Sequence, residues 1–248
     1  MGLPGAAAIE RAGLRCWPGI EVAWDGQWVR RAAGGYTQRA NSIQSLDPAD
    51  DHNAAARIAD GRAWLEARGI RPTFRVTPLA GPGVRASLDA GNWATVDASH
   101  LFAMELNSID PAPRGEIFDL LDQWFLAAQQ RLQGYSDEKR ARLEALLKVI
   151  DVPAKGVVLY DADGKAVATC LMAVADGIVI TGNVVTDPSE RRKGYGAAMM
   201  RTGLAWARSV GATVAALNVA ADNAVGQALY RSLGYSHQYD YAYRVPPT

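Results

Sequence analysis

The chain has little cysteine and histidine, and it lacks a long hydrophobic run. Its two cysteines, Cys16 and Cys170, lie far apart, and its three histidines, His52, His100 and His237, have no metal-ligand spacing. These features predict reduced thiols and no metal site. No stretch approaches the roughly 20 apolar residues that cross a bilayer, and no basic segment of a secretion signal precedes the first apolar residues. We therefore expect a cytoplasmic protein with no membrane partner.

An excess of charge of one sign is also lacking. Lys plus Arg and Asp plus Glu both total 26, so no overall field attracts nucleic acid. With 49% hydrophobic and 21% charged residues, the composition is that of a globular protein. At 248 residues the chain is longer than one domain of about 100 to 200 residues. We therefore expect two domains.

The C-terminal half alternates strand and helix patterns. Apolar runs between turn residues predict three antiparallel strands, at 156–160, 166–175 and 178–185. A glycine loop then opens a helix that ends near Gly211, followed by a strand at 213–219. Asn223 can cap the next helix, and a last strand extends to Tyr243.

The glycine loop has the properties of a phosphate site. It contains Arg191, Arg192, Lys193, Gly194, Tyr195 and Gly196. Amides at a helix N-terminus have no helical acceptor, glycine allows close approach, and the helix dipole favours an anion. The spacing matches neither Gly-x-Gly-x-x-Gly nor a P-loop, so a dinucleotide fold and an NTPase are disfavoured. Alone, the loop is equally compatible with a solvated helix start.

The same loop resembles the Arg/Gln-x-x-Gly-x-Gly/Ala acyl-CoA loop of the GNAT superfamily of N-acetyltransferases. The segments that follow resemble the second motif of that family: Leu217-Asn218-Val219, Asn223, Ala228-Leu229-Tyr230 and Leu233-Gly234-Tyr235. The resemblance covers about residues 108–248. It implies the acyl-CoA N-acyltransferase fold, which is an α+β fold with a mixed sheet, and acetyl-CoA as the cosubstrate without a metal.

The resemblance also implies a role for individual residues. Residues 191–196, with Ala197, would hold the CoA pyrophosphate, and Val184 and Val185 would lie beside pantetheine at a point where the strand separates from its neighbour. Asn223 would contact CoA, and Tyr230 would be the general acid. A phenol of pKa about 10 can protonate a departing thiolate. The base stays open, with Asp176, Asp187 and Glu105 as candidates. Without the resemblance, Tyr230 would be a packing residue and Asn223 an ordinary N-cap.

Residues 21–106 resemble a degenerate copy of the same fold. Patterns predict strands at 21–31, 36–46 and 73–77 and a strand to Leu106, with helices at 49–68 and before Gly91. An offset of 143 places Phe74-Arg75-Val76 on Leu217-Asn218-Val219 and Gly91 on Gly234. At the loop position this copy has the acidic segment 46–53, and Ala80 and Ser87 replace Asn223 and Tyr230. We therefore predict tandem GNAT-like domains, 1–107 without CoA and 108–248 catalytic.

The predicted function is transfer of acetyl from acetyl-CoA to a primary amine by direct attack in a ternary complex. The acceptor is a small molecule or a protein N-terminus or lysine, and the protein is a monomer or homodimer. The polar segment 36–42 is a candidate for the acceptor cleft or for a solvated edge strand. Helices are predicted at 115–132 and 136–150, and Trp124 and Phe125 in the first of them are candidates for the same cleft, although a core role is the simpler interpretation. The alternatives are an acetyl-CoA sensor and a protein-interaction module.

Overall fold

A computed structural model describes residues 2–107 and 114–247. The helices are α1 (Ala6–Cys16), α2 (Ala54–Glu66), α3 (Pro82–Ala90), α4 (Gln123–Gln133), α5 (Asp137–Leu147), α6 (Tyr195–Ser209) and α7 (Ala224–Ser232). The strands are β1 (Glu21–Asp25), β2 (Trp28–Ala32), β3 (Ile43–Ser45), β4 (Phe74–Val76), β5 (Ala94–Glu105), β6 (Glu116–Phe118), β7 (Ala154–Tyr160), β8 (Ala166–Ala175), β9 (Ile178–Thr186), β10 (Val214–Ala220) and β11 (Ser236–Val245). The predicted domain boundary, between residues 107 and 108, adjoins residues 108–113, which lie outside the described residues.

The strands form one mixed sheet in the order β1-β2-β3-β4-β11-β5-β10-β9-β8-β7-β6. The pairs β3–β4 and β9–β10 are parallel, and the other pairs are antiparallel. This confirms the α+β class with a mixed sheet. We predicted two tandem domains, 1–107 and 108–248, and in the structure β5 of the first lies between β10 and β11 of the second. The sheet is therefore continuous.

The sheet order is symmetric about the contact between β5 and β11. Outward from that contact, β4 occupies the place of β10, and β3 occupies the place of β9. Arg75 and Asn218, which are 143 residues apart, meet near this centre, where Arg75 Nη2 donates to Asn218 Oδ1 at 3.3 Å. The topology thus supports the internal duplication indicated by the sequence.

Helices cover both faces of the C-terminal part of the sheet. On one face α1, α4 and α5 contribute Ile9, Phe125 and Leu143 to a core that also contains Leu101 and Leu171. On the other face α6 and α7 bury a second set of apolar residues: Phe102, Met172, Met200, Leu204, Leu217 and Tyr230. A third cluster packs α2 and α3 on the N-terminal strands. These cores hold the strand ends in place around the candidate site.

Four local features differ from the sequence-based predictions. The predicted strand 21–31 is the hairpin of β1 and β2, because Gly26 turns the chain with a φ of 57°. The predicted strand 36–46 begins with a short 3-10 helix, Gln38–Ala40, and only Ile43–Ser45 is extended. Residues 116–118 pair with β7 instead of starting a helix, and α4 begins after the Asp122 cap. Helix α1 was not predicted.

Candidate active site

Strands β9 and β10 separate at their carboxyl ends. Their parallel pairing runs only from Ile178↔Val214 to Thr181↔Leu217, although β9 continues to Thr186 and β10 to Ala220. A register shift against β8 adds one residue to β9 near Asn183, which has a φ of 49°. The backbone of residues 182–186 therefore has no partner strand on the β10 side. The structure thus contains the strand separation expected from the resemblance.

Helix α6 begins at the edge of this opening. Gly194 precedes it in the left-handed conformation with a φ of 84°, and no side chain caps the helix. The amides of Tyr195, Gly196 and Ala197 belong to the first turn, which has no helical acceptor. A side chain at Gly196 would place its Cβ 3.2 Å from Thr186 Oγ1 and 3.3 Å from Leu229 Cδ2, so glycine permits close packing of α6 here.

The opening and the helix start border one cleft of about 440 Å³. All predicted site residues except Lys193 line it: Val184, Val185, Arg191, Arg192, Gly194, Tyr195, Gly196, Ala197, Asn223 and Tyr230. Lys193 faces an adjacent cleft and pairs with Glu190 at 2.9 Å. The sequence analysis missed five further lining residues: Thr186, Glu190, Val225, Gly226 and Leu229. Val225 and Gly226 lie four and three residues before Leu229, and Gly226 lies four residues before Tyr230; this helical spacing is the signal that could have found them.

The end of the cleft near α6 is positively charged. Arg191 and Arg192 are exposed, and neither forms an ion pair with any residue that the structure describes. Glu190 contributes a carboxylate, which Lys193 neutralises. Two unpaired guanidinium groups beside free helix amides favour binding of a polyanion such as a pyrophosphate.

Asn223 and Tyr230 lie on α7 at the other side of the cleft. Asn223 Oδ1 accepts from the amide of Gly226 at 2.9 Å, so this side chain caps α7 as the sequence predicted. Tyr230 is 6% exposed, and its ring packs on Tyr235 with centroids 6.0 Å apart. Burial, with a smaller effect from the nearby Cys170 thiol, raises the pKa of Tyr230 to about 12. The phenol therefore remains a proton donor at neutral pH.

None of the three base candidates from the sequence lines the cleft. Asp176 pairs with Arg15 at 2.8 Å on the surface. Asp187 accepts from the hydroxyl and amide of Ser189, and these hydrogen bonds, with Lys165, lower its pKa to about 2. Glu105 lies on β5 opposite Val214, at the end of β10 that pairs with β9. The positions of these three residues therefore do not identify the general base.

The N-terminal half contacts the irregular part of β9. Asn183 Nδ2 donates to Tyr36 Oη at 3.2 Å, and Tyr36 Oη donates to Tyr135 Oη at 3.1 Å. Gln129 Nε2 of α4 donates to the Asn183 carbonyl at 3.1 Å. The segment 36–42 thus begins beside the strand opening, on the side away from α6. On α4, Trp124 is 62% exposed, whereas the next residue, Phe125, is fully buried.

A buried polar network lies behind the opening and connects five elements. Glu10 of α1 accepts from Arg75 of β4 at 2.8 Å, from Tyr239 of β11 at 2.7 Å and from Gln44 of β3 at 2.7 Å. Arg75 also donates to Asn218, which follows Leu217, the last residue of β10 that pairs with β9. Burial alone would raise the pKa of Glu10, but the Arg75 charge and the three hydrogen bonds outweigh it and lower that pKa. Glu10 is therefore ionised.

The acidic segment of the N-terminal copy is occupied by its own contacts. Asp51 accepts from the amides of Gly83 and Val84 at the start of α3, the latter at 2.8 Å. A Cβ added at Gly81 would lie 2.5 Å from the Asp51 carboxyl carbon. Asp50 pairs with Arg57 at 2.8 Å, and hydrogen bonding to Arg57 lowers the pKa of Asp50. The Asp51 carboxylate thus fills the space around the N-terminus of α3, and Asp50 is held by Arg57.

Comparison with known proteins identifies the family. The profile of the family described as "Probable histone acetyltransferase Rv0428c C-terminal" matches residues 6–244. The chain belongs to this family. It is an acetyltransferase of the GNAT type. Among the described residues, none of the helices is long and apolar enough to span a membrane.

Known proteins resemble this acetyltransferase over most of their length. An uncharacterized N-acetyltransferase, YobR of Bacillus subtilis, is 24% identical over 96% of this chain and 97% of its own. A GCN5-related N-acetyltransferase from Kribbella flavida has a TM-score of 0.72 at 21% identity, covering 99% of this chain and 97% of that one. A tandem GNAT protein from the clavulanic acid biosynthesis pathway has a TM-score of 0.64 at 13% identity, covering 84% and 76%. The two structures support the fold.

Proposed function

We propose that this acetyltransferase binds acetyl-CoA in the cleft between β9, α6 and α7 and transfers the acetyl group to a primary amine. The observation that carries the proposal is the uncapped start of α6, whose free amides and unpaired Arg191 and Arg192 border the separated strands. This end of the cleft favours the pyrophosphate. Val184 and Val185 would then contact pantetheine, and the free backbone of residues 182–186 would polarise the thioester carbonyl.

The reaction proceeds by direct attack in a ternary complex. The amine nitrogen bonds to the acetyl carbon, and the carbon–sulfur bond breaks with its electron pair moving to sulfur. Tyr230 donates its phenolic proton to the departing thiolate and regains one from water. Because a thiol, with a pKa of about 8.5, is more acidic than the Tyr230 phenol, the phenol keeps its proton until negative charge develops on sulfur, and the phenolate that forms is reprotonated by water. The amine loses its proton to water or to a base not yet identified.

The N-terminal half contributes one side of the acceptor site. Tyr36 holds Asn183 at the irregular part of β9, and Arg39 lies beside Gly182, since a Cβ at Gly182 would be 3.6 Å from Arg39 Nη2. Both residues are therefore next to the strand opening where the acetyl group would emerge. The acceptor is a small-molecule amine, or alternatively a protein N-terminus or lysine.

Only the C-terminal half binds acetyl-CoA in this proposal. In the N-terminal copy, the acidic segment 46–53 stands at the loop position, directly before α2, and the charges of Asp50 and Asp51 would repel an anion. We expect one acetyl-CoA per chain by calorimetry. A stoichiometry of two would contradict this assignment.

The first test is a thermal melt with and without acetyl-CoA. Ligand at 100 times its dissociation constant should add about 2.7 kcal/mol to the free energy of unfolding. Gly194→Asp places a carboxylate at the predicted pyrophosphate site and should abolish this shift. Gly69→Asp is the matched control, because Gly69 also has a positive φ (67°, against 84° for Gly194) and open surroundings but lies in the N-terminal half. An unchanged shift in Gly194→Asp would mean that the loop is misassigned.

A measurement of turnover distinguishes an acetyltransferase from a protein that only senses acetyl-CoA. Release of CoA thiol in the presence of a panel of amines, with formation of the acetylated amine, is the expected result. Saturable acetyl-CoA binding without turnover on any acceptor class would favour the sensing alternative.

A further inference from the structure

Three potential metal ligands meet on the pair β5–β11, away from the acetyl-CoA cleft. His100 of β5 lies directly opposite Asp240 of β11, and its Nδ1 is 2.6 Å from Asp240 Oδ1. His237 Nε2 is 2.7 Å from the same oxygen. One ligand atom from each residue lies within 4.8 Å of the other two.

A β-bulge places these side chains together. His237 and Asp240 are three residues apart, and in a regular strand they would point to opposite faces. The register of β11 shifts between His237, which pairs with Phe102, and Tyr239, which pairs with Leu101. Gln238 is therefore an extra residue, and the bulge turns His237 to the face that carries Asp240. The two imidazole rings lie 5.2 Å apart by centroid.

The duplication does not account for this arrangement. The offset of 143 relates His100 to Tyr243 (100 + 143), His237 to Ala94 (237 − 143) and Asp240 to Asp97 (240 − 143). The symmetry-related positions on β5 and β11 thus lack both imidazoles.

We propose that His100, His237 and Asp240 form a binding site for a divalent transition metal, with Zn²⁺ as the preferred ion. Two imidazole nitrogens and one carboxylate oxygen are ligands that Zn²⁺ accepts in a tetrahedral arrangement with one open position. His100 and Asp240 also line a cleft of about 520 Å³, so water or a small ligand can reach that position. The ion would replace the two direct contacts between the ring nitrogens and Asp240 Oδ1.

A metal here would connect the two halves of the chain. His100 belongs to the strand that the N-terminal half contributes, whereas His237 and Asp240 belong to the last strand of the C-terminal half. The sequence predicted no metal because His100 and His237 are 137 residues apart (237 − 100). We expect zinc to raise the unfolding temperature of the whole protein, because it binds only the folded state.

The test is calorimetric titration of the full chain, freed of metal with a chelator, with ZnCl₂ at neutral pH. We expect one Zn²⁺ per chain and a visible absorption band when Co²⁺ replaces it. His237→Ala and Asp240→Asn should each weaken binding by more than about tenfold and remove the zinc-dependent rise in unfolding temperature. His52→Ala is the matched control, since His52 is exposed and remote from β5 and β11, and it should bind zinc as the wild type does.

Three results would overturn the proposal. They are no saturable binding at millimolar zinc, binding that persists in both site variants, or one zinc shared by two chains. Both altered residues are at least 45% exposed, so the variants should fold, and circular dichroism verifies this. The test does not depend on acetyl transfer, so its failure leaves the proposed function untouched.

Discussion

At the scale of single residues, Tyr230 is the side chain on which the proposed chemistry depends. We predict that Tyr230→Phe lowers the rate of acetyl transfer by about 10² to 10⁴, the usual contribution of a general acid. The dissociation constant of acetyl-CoA should stay unchanged, because the ring keeps its packing on Tyr235. Steady-state release of CoA thiol gives the rate, and calorimetry gives the affinity.

Tyr235→Phe is the control for this variant. Tyr235 is equally buried and packs on Tyr230, but it does not line the cleft. Removing the Tyr235 hydroxyl should leave the rate of acetyl transfer within a few-fold of the wild-type rate. Equal rates in Tyr230→Phe and the wild type would remove Tyr230 from the mechanism.

Glu10 is the residue whose charge matters most for stability. We predict that Glu10→Gln lowers the free energy of unfolding at pH 7 by about 3 to 5 kcal/mol, because Arg75 is left buried without its counter-ion. Glu66→Gln removes the exposed pair with Arg62 and should cost less than about 1 kcal/mol. Urea denaturation of the two variants and the wild type measures the difference.

The pair of Glu10 and Arg75 also predicts that the free energy of unfolding depends on pH. The pKa of Glu10 is lowered in the folded protein, so its contribution is complete above the ordinary carboxyl pKa of about 4.3 and is lost as the pH falls below it. The difference in the free energy of unfolding between the wild type and Glu10→Gln should therefore become smaller below about pH 4. A difference that is constant from pH 7 to pH 3 would contradict the ionised assignment.

At the scale of elements, the packing of helices on the sheet depends on glycines at close contacts. A Cβ at Gly156 of β7 would lie 2.3 Å from the Phe125 ring of α4, and one at Gly203 of α6 would lie 2.5 Å from Met172 Cε. The buried ring cannot move aside, whereas the end of a methionine side chain can. We predict that Gly156→Ala costs about 1 to 3 kcal/mol or more through overpacking.

Gly203→Ala provides the comparison. Repacking of Met172 and the higher helix propensity of alanine should make its cost smaller than that of Gly156→Ala. Thermal unfolding of the two variants under identical conditions measures the order. The reverse order would mean that α4 adjusts to β7 more easily than α6 adjusts to β8.

At the scale of the whole molecule, the two halves share their central strands. Strand β5 pairs with β10 and β11 on its two edges, and β11 also pairs with β4. We predict that neither 1–107 nor 108–248 folds alone, because each half would expose the strand edges that the other half covers. Co-expression of the two fragments should restore a soluble complex. A cooperative thermal transition with acetyl-CoA binding by 108–248 alone would contradict this.

Several parts of the fold and of the candidate site follow from local sequence patterns. The extents of β7, β8, β9 and β10 are predicted by apolar runs between turn residues, and the loop at 191–196 is contiguous in sequence. Local signals failed where pairing decided the conformation. Residues 116–118 extend because β7 offers an edge. Residues 38–40 form a 3-10 helix, which is flanked by the hydrogen bonds of the Asn41 side chain to the backbone of residues 33, 35 and 37.

The sequence by itself determined the family, the strand and helix types of the C-terminal half and the residues around the helix start, since periodicity, capping and glycine placement are local properties. Only the tertiary structure decided the insertion of β5 between β10 and β11, the position of Glu10 against Arg75 and the contacts of His100 with His237 and Asp240. These contacts join residues that are between 65 and 140 positions apart. Such pairs depend on strand order and register, which no local pattern encodes.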